Sequence, residues 1–181
     1  MEKIHFTNYP NMDKPVNSNN LNQLQENTEN AINDTCVFAQ MFANGLVNLP
    51  NDSNITIEKW ATTGNISVGG FECAPSSNRI NIPANSCEYV EIFGQVSGNN
   101  NTIYYFYLYN EDDTLVAENR MLIQPSGNSY YATALGSKII KIPDKTKSYY
   151  LKLEAGGYQT AATFNTGFGD NFSYIGVKKF K

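Results

Sequence analysis

From Ile55 to Phe180, apolar and polar positions alternate with a period of two, in short runs punctuated by Gly, Asn, Asp and Pro. That period sends successive side chains to opposite faces of a strand. It predicts strands over Ile55–Trp60, Asn65–Glu72, Arg79–Ile82, Glu88–Val96, Thr102–Asn110, Thr114–Glu118, Tyr130–Ile142, Ser148–Glu154, Thr160–Asn165 and Phe172–Phe180. Stretches such as Ser97-Gly98-Asn99-Asn100 and Glu111-Asp112-Asp113 carry the residues that turns require. Many short strands with no helical pattern between them predict an antiparallel sandwich rather than a parallel α/β sheet.

One run departs from the usual half-buried strand. Within 102–110, Tyr104, Phe106 and Leu108 share one face, while Ile103, Tyr105, Tyr107 and Tyr109 share the other. A sandwich strand buries one face and wets its opposite. Here the second face is built of tyrosine, whose greasy ring and polar tip suit an interface. Tyr105, Tyr107 and Tyr109 are therefore expected at a subunit contact, the alternative being rings that cover a solvated sheet.

The first third of the chain follows other rules. Ile4, Phe6, Tyr9 and Pro10 fall in a stretch too rich in Pro and Asn to be helix, and Pro15 closes it. A helix is predicted from Ser18 to Asp34, capped by Asn17 or Ser18. Leu21, Leu24, Thr28 and Ala31 lie at heptad spacing along it, a seam of about two heptads that is too short to hold a coiled coil alone. Either several copies share that seam or the helix lies on its own domain. Over residues 35–53, Val37, Phe38, Met41, Phe42 and Leu46 recur with helical spacing, Asn44-Gly45 reads as a helix stop, and Asn48–Asn54 reads as linker. The expected organisation is an extended arm over 1–17, a helical stalk and linker over 18–53, and a β-sandwich over 54–181.

Composition narrows the function. Apolar residues make up 41% and charged residues 17%, with Asn the commonest type and with 12 Tyr and 10 Phe. This suits a turn-rich β protein and is unlike a disordered chain, which lacks aromatics. A net charge of -4 and no basic cluster before Lys178 and Lys179 argue against a nucleic-acid partner. No apolar run approaches the roughly 20 residues of a membrane-spanning helix. Met1-Glu2-Lys3 leads into polar residues and Pro rather than an apolar core, so no signal peptide is expected, and the product is expected to stay where it is made or to leave by a route that needs no address, such as cell lysis.

Candidate chemistry is sparse. Cys36, Cys73 and Cys87 are an odd set without paired spacing, so reduced thiols are expected, with a Cys73–Cys87 bridge left open. His5, the one histidine, lies in the arm, which leaves the sandwich without a base for Ser or Cys nucleophiles and without a zinc set. Glu111-Asp112-Asp113 and Asp170 supply carboxylates, but in turn contexts where acids serve solubility, and they lack the alternation of a dedicated calcium loop. No enzyme activity, metal or cofactor is expected. Trp60, the tyrosines and the asparagines are residue types that sugar sites use, though Trp60 at a strand end reads as a core anchor.

Two stretches carry a resemblance. Ile4-His5-Phe6-Thr7-Asn8-Tyr9-Pro10, followed by Lys14-Pro15-Val16-Asn17 and Asn20-Leu21-Asn22-Gln23-Leu24-Gln25, resembles the N-terminal segment of structural proteins from phages of Gram-positive bacteria. The C-terminal part, ending Asn171-Phe172-Ser173-Tyr174-Ile175-Gly176-Val177-Lys178-Lys179-Phe180, is similar to the jelly-roll heads of the TNF/C1q type that cap phage fibres. The resemblance implies a mainly β fold, a TNF/C1q-like antiparallel jelly roll preceded by the arm and a short α-helix. It also implies a virion location and a short homotrimeric head or tail fibre. In that arrangement Ile4, Phe6, Tyr9 and Pro10 dock on another virion protein, Leu21, Leu24 and Ala31 join the tyrosines at the oligomer interface, and the head meets a host cell-surface glycan or protein. A capsid decoration or adaptor protein without a host ligand, and a carbohydrate-binding module, are the alternatives.

Overall fold

The computed structural model describes residues 21–28, 37–98, 102–123, 132–157, 162–165 and 173–180. The chain divides into two units, Met1–Cys36 and Val37–Lys181. In the first, residues 21–28 form a helix, α1, with Leu21 half-buried, Leu24 62% exposed, and the Thr28 hydroxyl donating to the Leu24 carbonyl at 2.8 Å. Ile4, Phe6, Tyr9, Pro10 and Ala31 of the expected docking and seam residues lie outside the described residues, as do Cys36 and Asp170.

The second unit is an antiparallel sandwich of thirteen strands among the described residues: β1 (Phe38–Phe42), β2 (Val47–Leu49), β3 (Ile55–Thr56), β4 (Ile66–Val68), β5 (Glu72–Ala74), β6 (Arg79–Ile82), β7 (Tyr89–Gly98), β8 (Thr102–Asn110), β9 (Leu115–Ile123), β10 (Ala132–Lys141), β11 (Tyr149–Gly157), β12 (Ala162–Asn165) and β13 (Tyr174–Lys179). One sheet runs β2-β12-β7-β13-β1-β4, with β10 on the other side of β7. The second runs β5-β6-β11-β8-β9, with β3 added to β11.

Alternation along the strands builds the core between the sheets. Val90, Ile92 and Val96 from β7, Ile175 and Val177 from β13 and Met41 from β1 pack in one cluster with Ile80, Phe106, Leu108, Leu151 and Leu153 of the other sheet. Each such side chain contributes about 1.5–3 kcal/mol when taken out of water. Tyr104 is also fully buried, and its hydroxyl donates to the Ser97 carbonyl at 2.7 Å, so a polar tip inside the core keeps a partner. Two glycines make room for aromatic rings, Gly94 between the sheets and Gly176 on the outward face of the first sheet. A Cβ on Gly94 would lie 2.3 Å from the Phe106 ring, and one on Gly176 would lie 2.3 Å from the Phe93 ring.

Residues 37–49 differ from the helical bridge that the spacing predicts. They are strand: β1 pairs with β13 and β4, and β2 pairs with β12. Val37, Ala39, Met41 and Ala43 alternate into the core, a period of two hidden because two of the four are alanine. A short apolar run supports either period, and here the open edge of β13 supplies the hydrogen-bond partners that decide it. Gly45, at φ +109°, sits in the turn from β1 to β2 and does not stop a helix.

Candidate functional site: the outward faces of the sandwich

On the second sheet, β8 places Tyr105, Tyr107 and Tyr109 in a row on the outward face, as its alternation predicts. Register adds a fourth ring, because Tyr150 of β11 lies opposite Tyr109. Tyr105 stacks on Tyr107 at 5.4 Å and 18°, Tyr107 meets Tyr109 edge-on at 5.9 Å and 65°, and Tyr109 stacks on Tyr150 at 5.3 Å and 21°. Each contact of this kind is worth about 0.5–1.5 kcal/mol beyond area burial.

Charges of both signs frame the row. The Arg120 guanidinium lies 4.9 Å over Tyr105, Arg79 lies 4.9 Å over Tyr150, and the Lys152 ammonium lies 5.2 Å from the Tyr150 ring. Glu118 is opposite Tyr107, and Glu154 is opposite Tyr105. Burial, with the Glu154 carboxylate beside them, raises the pKa of Tyr107 and Tyr109. Burial raises Tyr150 far above the ordinary phenol range, and its bond to Asp113 Oδ1 at 2.6 Å adds to the shift. Burial also raises the Glu154 carboxyl. These shifts make Tyr107, Tyr109 and Tyr150 harder to ionise.

The outward face of the first sheet has a different chemistry. Tyr174 of β13 meets Phe42 of β1 at 6.1 Å and Phe93 of β7 at 6.4 Å, both edge-on. Gly176 leaves room for the Phe93 ring on this face. Beside it, β10 holds Leu135 opposite Gln95 and Ile139 opposite Glu91, at 71% and 49% exposure. A shallow hollow of about 480 Å³ lies among Glu91, Phe93, Leu135, Gly136, Ser137 and Lys178. Where the two sheets meet, the Lys138 ammonium of β10 donates to the Glu118 carbonyl of β9 at 2.7 Å, and Leu122 of β9 is 47% exposed.

A smaller polar cleft lies at the opposite edge of the second sheet. Its volume is about 240 Å³, and Glu72, Arg79, Asn81, Glu111, Ser148 and Tyr150 are among its walls. The acidic turn 111–113 expected from sequence closes one side. The Asn110 side-chain oxygen accepts from the Asp112 and Thr114 N–H groups and holds that turn, while Asp112 pairs with Lys147.

Other expected residues are placed plainly. Trp60 is buried, and its Nε1–H donates to the Ile57 carbonyl at 2.7 Å. Cys73 and Cys87 are free thiols, both raised in pKa chiefly by burial, and Cys73 Sγ contacts the Gln40 and Ile66 carbonyls. Among the described residues no group of three His, Cys, Asp or Glu is arranged to hold a metal. No described helix is long and apolar enough to cross a membrane. Sequence reasoning located three of the four stacked tyrosines. It missed Tyr150, Arg79, Arg120 and the Phe42–Tyr174–Phe93 cluster, because cross-strand neighbours follow from register and not from spacing along the chain.

No protein-family model matches the chain, and no curated protein matches it. Among solved structures it is similar to the Eiger TNF of S. frugiperda, with a TM-score of 0.55 and 10% sequence identity, over 81% of this chain and 93% of that one. At that identity the likeness concerns the fold alone. The sandwich is a TNF-like antiparallel jelly roll, in agreement with the expected fold class.

Proposed function

We propose that this chain is a non-enzymatic virion structural protein of a phage, a short trimeric head or tail fibre whose sandwich contacts the host surface. The observation that carries the reading is the pairing of a TNF-like jelly roll with a separate N-terminal unit, Met1–Cys36, that holds the phage-like segment. The arm, through Ile4, Phe6, Tyr9 and Pro10, anchors the protein on another virion component after synthesis in the host cytoplasm. Leu21, Leu24 and Ala31 form a seam shared by three copies, which accounts for a helix with little of its own to bury.

A cyclic trimer uses a heterologous interface, in which one patch of each copy meets a different patch of the next. Two patches of the sandwich suit that arrangement. The Phe42–Tyr174–Phe93 face supplies a broad aromatic surface. The β9–β10 edge supplies Leu135 and Ile139, which border that face, and Leu122, which lies around the edge on the outward side of the second sheet; all three are exposed in a single copy. Tyr105, Tyr107 and Tyr109 lie one strand in from that edge and, framed by their own charges, border the contact rather than form it.

The anchor is tested in assembled particles. Phe6→Ala with Tyr9→Ala is expected to leave the sandwich folded while particles assemble without this protein. Two aromatics and an isoleucine offer roughly 4–7 kcal/mol per arm before ordering costs, and three arms act together. Incorporation of the double variant at normal copy number would overturn the anchoring role.

A further inference from the structure

We propose that the cleft at the β5–β6 edge of the second sheet binds one neutral sugar ring, the end of a glycan. Antiparallel register builds the floor. Glu72 of β5 lies opposite Asn81 of β6, and Asn81 lies opposite Tyr150 of β11, so three strands contribute one cross-strand row. Arg79, two residues before Asn81 and on the same face, lies against the Tyr150 ring, which fixes the plane of its guanidinium. The far wall is Glu111, whose Oε2 accepts from the Ser148 N–H at 3.2 Å and the Ser148 hydroxyl at 2.8 Å.

Three observations select the ligand class. First, Arg79 Nε is shielded from solvent and has no hydrogen-bond partner among the described residues. A desolvated donor of this kind is rare in folded proteins, and its burial leaves only the terminal guanidinium nitrogens to meet a ligand. Second, the lining offers donors and acceptors together: the Arg79 guanidinium, the Asn81 amide, and the Glu72 and Glu111 carboxylates. A sugar hydroxyl both donates and accepts, so adjacent hydroxyls can meet both kinds of group.

Third, charge and size exclude the nearest competitors. Glu72 and Glu111 outnumber Arg79 within the cleft, and the whole chain carries -4, so a phosphate-rich polymer is disfavoured. At about 240 Å³ the cleft is smaller than the roughly 300–1,000 Å³ of pockets for drug-sized ligands. That leaves room for a single ring. The Tyr150 face is already taken by Arg79, so hydrogen bonds rather than stacking would hold the sugar, and millimolar affinity per site is expected. Three copies on one fibre would then bind a glycan-coated surface with high avidity.

The inference names the ligand of the host-attachment reading and rests on it for its biological sense. Its test uses the isolated full-length protein. Isotope-labelled protein is titrated in turn with glucose, galactose, N-acetylglucosamine and rhamnose, and with inorganic phosphate as the anionic comparison. At least one sugar is expected to shift the Asn81 side-chain amide and the Gly70 backbone amide, both at the cleft. Arg79→Gln should weaken that sugar about tenfold or more, and so should Glu111→Gln, a change on an exposed turn that leaves the sheets untouched. No shift with any of the four sugars, shifts produced by phosphate instead, or undiminished binding by both variants would overturn the assignment. A failed titration removes the sugar and leaves the attachment reading standing. A monomeric protein removes the fibre reading and leaves a bound sugar standing.

Discussion

The two outward faces of the sandwich are both aromatic, yet they are finished differently. On the second sheet every ring of the Tyr105–Tyr107–Tyr109–Tyr150 row already has a stacking or cationic neighbour, and Glu118 and Glu154 keep the surface wet. On the first sheet, Phe42, Phe93 and Tyr174 touch one another, and the strand beside them presents Leu135 at 71% exposure. The edge strand β4 adds Ile66 and Val68, both at 37%. Aromatic content alone therefore says little about assembly. A face whose rings are matched by its own charges is stable in water, whereas an apolar face with exposed aliphatic edges is stabilised by a neighbour.

The strongest way to break the comparison is to damage the core that both faces share. Gly94→Ala would set a Cβ 2.3 Å from the Phe106 ring and 2.7 Å from the Tyr174 carbonyl, so ring and backbone must both move. Overpacking of this kind costs about 3 kcal/mol, and thermal unfolding should fall by roughly 6–12 °C. Gly136→Ala is the matched control. Its Cβ would first meet the flexible end of Met121, which can give way, so a much smaller shift is expected.

Alkaline pH sharpens the comparison, because it acts on tyrosines of the second sheet. Tyr104 and Tyr150 hold their protons in the folded protein well above the ordinary phenol pKa near 10. The folded state therefore binds more protons than the unfolded chain above about pH 10, and stability falls as pH rises through that range. Urea midpoints measured upward from pH 8 should hold steady and then drop as tyrosinate absorbance appears. Tyr150→Phe removes one of these groups, so its stability should start lower, by about 1 kcal/mol for the lost Asp113 bond, and fall less steeply.

The smallest expected effect concerns Glu154. Its raised carboxyl pKa means that the folded state favours the protonated form, so this group's contribution to stability is lost as pH rises through the window just above the usual glutamate value. Glu154→Gln mimics the neutral form and should raise the melting temperature at neutral pH by about a degree, solvent screening keeping the gain small. A lower melting temperature would mean that the carboxylate stabilises the row through Lys152, and that the cations and carboxylates of this face act as a network.

How much of this was legible in the sequence depends on whether a feature follows the chain or crosses it. Strand β8 was readable because Tyr104, Phe106 and Leu108 alternate with Ile103, Tyr105 and Tyr107, and large residues on both faces mark the period plainly. Strand β1 was not, since Ala39 and Ala43 carry too little side chain to show the buried face, and the pairing with β13 that fixes it comes from residues 174–178. Strand β5 is three residues long and has no pattern to read. The cleft was invisible for the same reason as the fourth tyrosine. Residues 72, 81 and 150 become neighbours only through register, and Glu111 joins them through Ser148.

The central claim is that the first-sheet face and the β9–β10 edge assemble three copies, and solution mass tests it most directly. Light scattering on the purified full-length protein at micromolar concentration should give three times 20.2 kDa. Leu135→Glu, which places a charge on the most exposed apolar side chain of that edge, should reduce the mass toward a single copy while the circular dichroism of the sandwich is unchanged. A wild-type mass of 20.2 kDa, or a Leu135→Glu protein that keeps the threefold mass, would contradict the assignment of this face to assembly.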